Sequence, residues 1–279
     1  MSAGEGDFVP TQIHSIATFW TPELEALGPP IYGPTDKVAF WMQRDIVRGV
    51  FAPSERLKVE QLTKFYGVGH SPIREAILLL SSTGLVVHEH QKGYRVAPTS
   101  GEDYRDVLDA HQSIYRLVLG KALERGDDAW EERVVVMLHR TQKVRKVLPD
   151  GEPEARERWQ LAYKALHREL LSGAGSPVLE KVFADLGNRL ERYLNLYAEL
   201  ESDRDRDHHA EHRDIVDALV ARDRDLIQAL IETYFASAKP IRDSIMKRLE
   251  EESAKPRRDR SPARPPATPG KAPRKRRVA

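Results

Sequence analysis

The sequence predicts a mainly α-helical protein in which a small domain of helices and one β-hairpin precedes a larger all-α bundle. Between residues 35 and 98 the order is helix, helix, helix, hairpin, which is typical of a winged helix-turn-helix. Between residues 102 and 252 the apolar residues keep a helical period almost throughout, which predicts an antiparallel helix bundle. The flanks are an N-terminal arm, 1–34, and a Pro-rich basic tail, 253–279, that we expect to be disordered.

Length and composition fit this division. The 279 residues are enough for two domains with separate cores, and 40% hydrophobic with 31% charged residues is typical of a soluble protein. No stretch approaches the roughly 20 apolar residues that cross a bilayer, and the N-terminus lacks the pattern of a signal peptide. Without cysteine, disulfides and thiolate sites are excluded. We therefore expect a cytoplasmic protein with no membrane partner.

Charge is distributed unevenly along the chain. Residues 255–279 hold ten Lys or Arg and one Asp, a net charge of +9, so the rest of this +1 protein carries −8. Within that acidic remainder, residues 36–98 hold nine basic and six acidic side chains, a local +3. A basic domain on an acidic body favours contact with a polyanion, although +3 alone lies within ordinary scatter.

The small domain has clear element boundaries. Thr35 is the predicted cap of its first helix, and glycines at 49, 67 and 84 end the three helices. The third helix carries a buried stripe of Ile73, Ala76, Ile77 and Leu80 at i, i+3, i+4 and i+7. The predicted helices and strands span 35–48, 58–66, 69–83, 85–87 and 94–96.

The third helix is the predicted DNA-reading helix, because the second helix of a helix-turn-helix lies in the major groove. With the apolar stripe inward, His70, Ser71 and Arg74 face outward. The planar guanidinium of Arg74 suits a guanine edge or a phosphate, and the alternative is an ion pair with a neighbouring Glu. Further predicted DNA contacts lie on the bracing helix and the hairpin: Lys58, Lys64, Lys92, Gly93 and Arg95. The lysines are equally typical of a solvated surface.

The helical half is divided by breaks at 126–127, 149–151, 173–177 and 202–207, and we predict six helices ending near Glu252. His208 and His209 follow a run of alternating Asp and Arg, which we interpret as a solvated helix start. His208 and His212 have a spacing that metals use, but the order differs from the His-Glu-x-x-His of a metalloprotease. We therefore predict no catalytic residues.

Five segments of the small domain form a recognisable series. They are 46–49 (IVRG), 53–57 (PSERL), 67–76 (GVGHSPIREA), 84–86 (GLV) and 93–96 (GYRV). In this order they resemble the GntR family of bacterial regulators, which implies a DNA-binding transcriptional regulator. Gly69 and His70 stand where the family usually has Ser-Arg, and Pro53-Ser54 where it usually has Pro-Gly. We therefore expect a half-site that differs from the usual one.

The helical half resembles the FCD ligand-binding domain of the FadR-type branch of that family, through 166–170 (LHREL), 175–179 (GSPVL) and 211–219 (EHRDIVDAL). The resemblance implies a small carboxylate effector, held in many members through a divalent metal on one Asp and three His. Two of those histidines match His167 and His212, whereas the Asp and the third His match Tyr163 and Tyr234. The implied effector site is His111, Tyr115, Tyr163, His167, His212 and Tyr234.

Two interpretations of this site stay open at the level of sequence. In one, His167 and His212 hold a divalent ion such as zinc, with His111 as the candidate for a third nitrogen. Such ions usually need three protein ligands, and a neutral tyrosine is a poor one. In the other, the cavity is free of metal and its phenols and imidazoles hydrogen-bond the effector directly.

The leading functional hypothesis is a homodimer that binds a two-fold-symmetric operator in double-stranded DNA, with an effector that shifts the spacing of the DNA-reading domains. One alternative is a metal-dependent hydrolase built on the bundle, but the chain has no nucleophile elbow, phosphate-binding loop or complete metal triad. Another is an architectural DNA binder led by the basic tail. Deleting residues 255–279 would then abolish most binding, whereas a regulator would keep its sequence preference.

Overall fold

The computed structural model describes residues 33–147, 152–197 and 204–254. Almost all of the predicted arm, the tail beyond residue 254, the predicted break at 149–151 and the first two residues of the predicted break at 202–207 lie outside these residues. Within them the protein is mainly α-helical with one small sheet, which confirms the predicted fold class. None of the described helices is both long and apolar enough to cross a membrane.

The small domain contains three helices and three strands. They are α1 (Pro34–Val47), β1 (Arg56–Leu57), α2 (Val59–Tyr66), α3 (His70–Ser82), β2 (Val86–Glu89) and β3 (Gly93–Val96). The sheet is antiparallel with the order β1-β3-β2, and Arg56 of β1 lies opposite Arg95 of β3. The strand β1 was not predicted, because two residues are too few to show an alternating pattern.

The turn between α2 and α3 sets the direction of the reading helix. Gly67 ends α2 with a φ of 65°, a left-handed conformation that a residue without a Cβ adopts at little cost. Gly69 then caps α3, and the predicted stripe of Ile73, Ala76, Ile77 and Leu80 is fully buried. One boundary prediction was wrong: Gly33, not Thr35, is the N-cap of α1, because Pro34 occupies its first helical position.

The described residues of the larger domain form seven helices rather than the six predicted. They are α4 (Gly101–Arg125), α5 (Asp128–Gln142), α6 (Pro153–Ser172), α7 (Pro177–Tyr197), α8 (His208–Val220), α9 (Arg224–Ser237) and α10 (Lys239–Ala254). No Gly or Pro marks the boundary between α8 and α9. Arg222 breaks the helix with a φ of 52°, and the Asp223 side chain caps α9 by accepting a 3.0 Å hydrogen bond from Leu226 N.

Helix α4 packs on α7, α5 on α6, and α8 on α9. The main apolar core lies between α4, α5, α6, α8 and α9 and includes Tyr115, Trp130, Leu166, Ile215 and Phe235. A second cluster joins α4, α7 and α10. This packing surrounds the predicted effector residues with helices from four parts of the chain.

The two domains meet at an ionic contact that we call the Glu157 junction (Arg44, Arg48 and Glu157). Glu157, near the start of α6, is only 8% exposed. Its carboxylate accepts hydrogen bonds of 2.7 Å from Arg44 Nη2 and of 2.7 Å from Arg48 Nη1, both on α1. Beside it, Asn195 Nδ2 of α7 donates to the carbonyl of Val47 at 3.0 Å. The first helix of the small domain is therefore fixed to two helices of the larger one.

Candidate DNA interface and effector site

The N-terminal half of α3 presents a polar face to solvent. His70, Ser71 and Arg74 are all exposed, as the buried stripe on the other side of the helix requires. Leu78 continues the same face and is 56% exposed. In a helix-turn-helix, base edges are contacted from the N-terminal part of the second helix.

Glu75, the acidic neighbour with which Arg74 could form an ion pair, is bonded to other side chains. Its carboxylate accepts hydrogen bonds from Ser71 Oγ at 2.9 Å and from Thr35 Oγ1 at 2.7 Å, and these lower the pKa of the Glu75 carboxyl. In the described part of the chain we find no ion pair of Arg74. The guanidinium is thus available to a ligand, whereas Ser71 has a second role in orienting Glu75.

The other predicted DNA contacts lie on α2 and on the hairpin. Lys58 is the exposed N-cap of α2, and Lys64 lies exposed in its last turn. Lys92 is exposed at the hairpin turn, beside Gly93 with a φ of 82°. Arg95 differs from them, because its guanidinium bonds Glu89 at 2.9 Å and the carbonyl of Ser54 at 3.1 Å. Arg95 therefore braces the hairpin.

The structure brings most of the predicted effector residues into contact. We call the group the His–Tyr cluster, and its six members come from α4, α6, α8 and α9: His111, Tyr115, Tyr163, His167, His212 and Tyr234. At its centre, His167 Nε2 and His212 Nε2 are 3.0 Å apart, and Tyr234 Oη is 3.4 Å from His167 Nε2. Tyr115 and His212 are buried, whereas His167 and Tyr234 keep part of their surface accessible.

Hydrogen bonding fixes the protons at this centre. His212 Nδ1 lies 2.7 Å from the carbonyl of His208, which can only accept, so Nδ1 carries the proton and Nε2 is the acceptor. His167 Nε2 must then donate to His212. The remaining nitrogen, His167 Nδ1, accepts from Tyr115 Oη at 3.2 Å.

Burial keeps the three histidines and two of the three tyrosines of the cluster uncharged near pH 7. Burial lowers the pKa of His111 and of His212 to about 4, and it lowers the pKa of His167 well below its ordinary value. Burial also raises the pKa of the Tyr115 and Tyr163 phenols. Removing a charged form from water is unfavourable in each case, so imidazoles and phenols alike stay uncharged.

His111 and Tyr163 lie at the periphery of the cluster. The His111 ring stacks on Phe183 with 4.6 Å between ring centroids and an interplanar angle of 28°. The Tyr163 ring contacts His212 edge-on at 4.7 Å, but its hydroxyl lies 3.2 Å from His209 Nδ1. The Tyr163 oxygen is therefore engaged outside the central pair of histidines.

Four further residues at one edge of the cluster were not predicted: Trp159, Arg206, His208 and Glu211. His208 is the first residue of α8, which confirms the predicted helix start. Its side chain is only 11% exposed and its ring packs on Trp159 with centroids 5.2 Å apart, so the prediction that it is solvated was wrong. Arg206 Nε lies 2.9 Å from both carboxylate oxygens of Glu211, and its guanidinium lies over the Tyr234 ring at 4.8 Å. The spacing of Trp159 and Tyr163, one helical turn apart, was the available signal.

Comparison with known proteins identifies the family. Residues 34–96 match the family described as bacterial regulatory proteins, gntR family, and residues 106–237 match the FCD domain. The HTH-type transcriptional repressor GlaR of Escherichia coli is 31% identical over 204 residues, which cover 72% of this chain and 92% of GlaR. The chain belongs to the GntR family of transcriptional regulators. It is a DNA-binding regulator with an FCD effector-binding domain.

Other GntR-family proteins agree with this assignment. The uncharacterised HTH-type regulator BphR of Paraburkholderia xenovorans is 29% identical over 197 residues, 71% of this chain and 80% of BphR. Among solved structures, McbR/YncC of E. coli has a TM-score of 0.60 at 15% identity and covers 80% of this chain and 100% of its own. A putative GntR regulator from Rhodococcus has a TM-score of 0.55 at 20% identity, covering 74% and 96%. At these identities the structures show a shared fold.

The donor set of this GntR-family protein does not fit the four-ligand metal site that the resemblance implies. Two of the four positions are tyrosines, and the Tyr163 hydroxyl contacts His209. Across residues 33–147, 152–197 and 204–254, no three His, Cys, Asp or Glu side chains come together in a way that could hold a metal ion. His111, the candidate for a third nitrogen, stacks on Phe183 instead.

Proposed function

We propose that this GntR-family regulator binds a two-fold-symmetric operator as a homodimer, through α3, and represses transcription until a small carboxylate effector enters the His–Tyr cluster. The observation that carries the proposal is the division of α3 into a buried apolar stripe and an exposed polar face of His70, Ser71 and Arg74. GlaR, the relative that covers most of this chain, is described as a repressor.

In this proposal the side chains of the small domain divide the work of DNA binding. Arg74 reads a base edge in the major groove, where a bidentate contact to guanine discriminates by about 1–3 kcal/mol. His70 and Ser71 contact bases or phosphates beside it. Contacts to the phosphate backbone come from the bracing helix and the hairpin, through Lys58, Lys64, Lys92, Gly93 and Arg95. Arg95 contributes indirectly by stabilising the hairpin, since its guanidinium is bonded to Glu89 and Ser54.

Selection of bound fragments from genomic DNA tests the DNA-binding part of the proposal. A homodimer should recover an inverted repeat whose half-sites lie about one helical turn, or a multiple of it, apart. Sedimentation of the DNA-bound protein should give two chains per operator. Recovery of motifs without two-fold symmetry, or one chain per site, would contradict the dimer.

The effector proposal rests on the edge of the His–Tyr cluster. The indole N–H of Trp159 is buried and has no acceptor among the described residues. An unpaired buried donor costs about 1–3 kcal/mol, so an oxygen that accepts from it gains this energy on binding. The Arg206 guanidinium supplies positive charge at the same edge and is shared with Glu211. A carboxylate effector satisfies the indole donor and competes with Glu211 for Arg206.

A panel of small carboxylic acids and their amides, read by release of the operator, tests the effector proposal. Carboxylates should release DNA at lower concentrations than the matched amides. Trp159→Phe should weaken the response about 10-fold or more, since a hydrogen bond to a charged group contributes about 1.5–3 kcal/mol. Arg116→Gln, which removes an exposed guanidinium paired with Glu232, is the matched control. Equal responses of the Trp159 and Arg116 variants would contradict the placement of the effector.

Helix α6 connects the two activities. Tyr163 and His167 of the cluster and Glu157 of the junction are all on this helix, and Glu157 and His167 are ten residues apart, or roughly 15 Å along the axis. A displacement of α6 by the effector is transmitted to α1 through Arg44 and Arg48. The effector regulates DNA binding to the extent that its affinity differs between the two positions of α6.

A further inference from the structure

We propose that the effector site of this protein works without a metal ion, because tyrosines occupy two of the four matched ligand positions and the two histidines that are left, His167 and His212, are too few to hold a divalent cation. The inference rests on the proposed function in assigning the effector to the His–Tyr cluster. It concerns how the site is built, and its tests are independent of DNA binding.

The first support is the use of the four ring nitrogens. His212 Nδ1 donates to the carbonyl of His208 at 2.7 Å, and its Nε2 accepts from His167 Nε2 at 3.0 Å. His167 Nδ1 accepts from Tyr115 Oη at 3.2 Å. In this chain of bonds His167 is protonated on Nε2 and His212 on Nδ1. All four ring nitrogens therefore have protein partners or each other, and an ion held by both Nε2 atoms would have to break the His167–His212 bond and move the His167 proton to Nδ1.

The second support is the lack of oxygen anions at the centre. Divalent cations favour carboxylates alongside imidazoles, and a neutral phenol is a poor ligand. Tyr163 turns its hydroxyl to His209, and Tyr234 Oη lies 3.4 Å from His167 Nε2, a long contact. Among the described residues no group of three His, Cys, Asp or Glu is placed to bind a metal.

The third support is the charge at the edge of the site. The Arg206 guanidinium, with a side chain only 11% exposed, already supplies a positive charge next to Tyr234 and is balanced by Glu211. A dication placed beside it, with no carboxylate among its ligands, would be a partly buried charge without a counter-ion, which is costly. Arg206 therefore supplies the positive charge that a metal ion would otherwise offer to a carboxylate effector. The uncharged groups of the His–Tyr cluster supply the remaining hydrogen bonds.

Metal content of the full-length protein is the direct test. Protein purified from zinc-supplemented medium without a metal-affinity step should hold well under 0.1 ion per chain by elemental analysis. Added Zn²⁺, Ni²⁺ or Mn²⁺ should leave the midpoint of thermal unfolding unchanged. A specific ion at 100 times its Kd would raise it by roughly 5–10 °C. One ion per chain that is lost in both His167→Ala and His212→Ala would overturn the proposal.

A gain-of-binding variant tests the physical reason. Tyr163→Asp together with Tyr234→His places one Asp and three His at the four matched positions. The double variant should take up about one Zn²⁺ per chain and gain thermal stability with zinc, while each single variant gains less. A folded double variant that binds no more zinc than the wild type would refute our assignment of metal exclusion to these two tyrosines.

The tautomers give a second measurement on the unmodified protein. In spectra of protein labelled with ¹⁵N-histidine, His167 should be the Nε2–H tautomer and His212 the Nδ1–H tautomer, assigned with the single Ala variants. Nδ1–H on both rings, which leaves two Nε2 lone pairs facing each other, would overturn the proposal. Operator binding by the same preparation tests the proposed function separately, since a metal-free protein that binds no operator contradicts only the latter.

Discussion

Replacing Glu157 by Gln tests whether the Glu157 junction holds the two domains together. The carboxylate accepts from Nε and Nη2 of Arg44 and from Nη1 of Arg48 while only 8% of Glu157 is exposed. Removing one partner of a buried ion pair costs about 3–5 kcal/mol. The two arginine side chains keep 17% and 24% of their surface exposed, and the glutamine side chain keeps one oxygen that can accept from them. We therefore expect a loss of about 2–3 kcal/mol.

Urea denaturation and operator release are the assays. The Glu157→Gln variant should unfold at a lower urea concentration and in two resolved steps, because the domains no longer stabilise each other. It should bind the operator while showing a weaker response to the effector. Glu232→Gln, which removes the exposed partner of Arg116, is the control and should cost under about 1 kcal/mol. If both variants behave alike in stability and in effector response, the junction does not couple the domains.

Three other predictions follow from single side chains. Arg74→Ala should lose about 1–3 kcal/mol of sequence discrimination in operator titrations, whereas Lys64→Ala should weaken all sequences alike and lower the salt slope by about one. Trp159→Phe should leave the free energy of unfolding nearly unchanged, because removing its unpaired N–H offsets the packing lost with the larger ring, whereas Trp130→Phe should lose at least about 1 kcal/mol with its 2.9 Å bond to the carbonyl of Glu169. Burial raises the pKa of Asp45 from 3.8 to about 6, so the folded protein binds this proton more tightly than the unfolded chain does. The free energy of unfolding should therefore fall by about 3 kcal/mol as pH rises from 4 to 6. Asp45→Asn should remove this part of the pH dependence, and a wild-type pH profile in the variant would contradict the prediction.

Local features of the small domain could be predicted from the sequence, because each depends on neighbours in the chain. The stripe of Ile73 and Leu80 follows directly from the helical period, and Gly67 marks the turn that its left-handed φ requires. Strand β1 escaped prediction because it exists only through its pairing with β3. The α8–α9 boundary escaped because Arg222 adopts a positive φ without the usual glycine.

The candidate effector site could be predicted only in part. The resemblance supplied six residues, since it carries positions over from proteins that share the fold. The edge of the site required the folded chain, because His208 follows a charged run that is typical of a solvated segment. The Glu157 junction joins residues more than 100 positions apart, and no local pattern in either helix identifies the partner of Arg44.

The position of Glu157 also limits how this protein can be rebuilt from parts. Its DNA-reading domain presents Arg44 and Arg48 toward α6, and its backbone carbonyls at Val47 and Ala97 accept from Asn195 and Arg192. A chimera that joins this domain to a foreign sensor would leave two guanidiniums facing an unmatched surface. Grafting Glu157, Arg192 and Asn195 into the foreign sensor should therefore determine whether such a hybrid responds to its ligand.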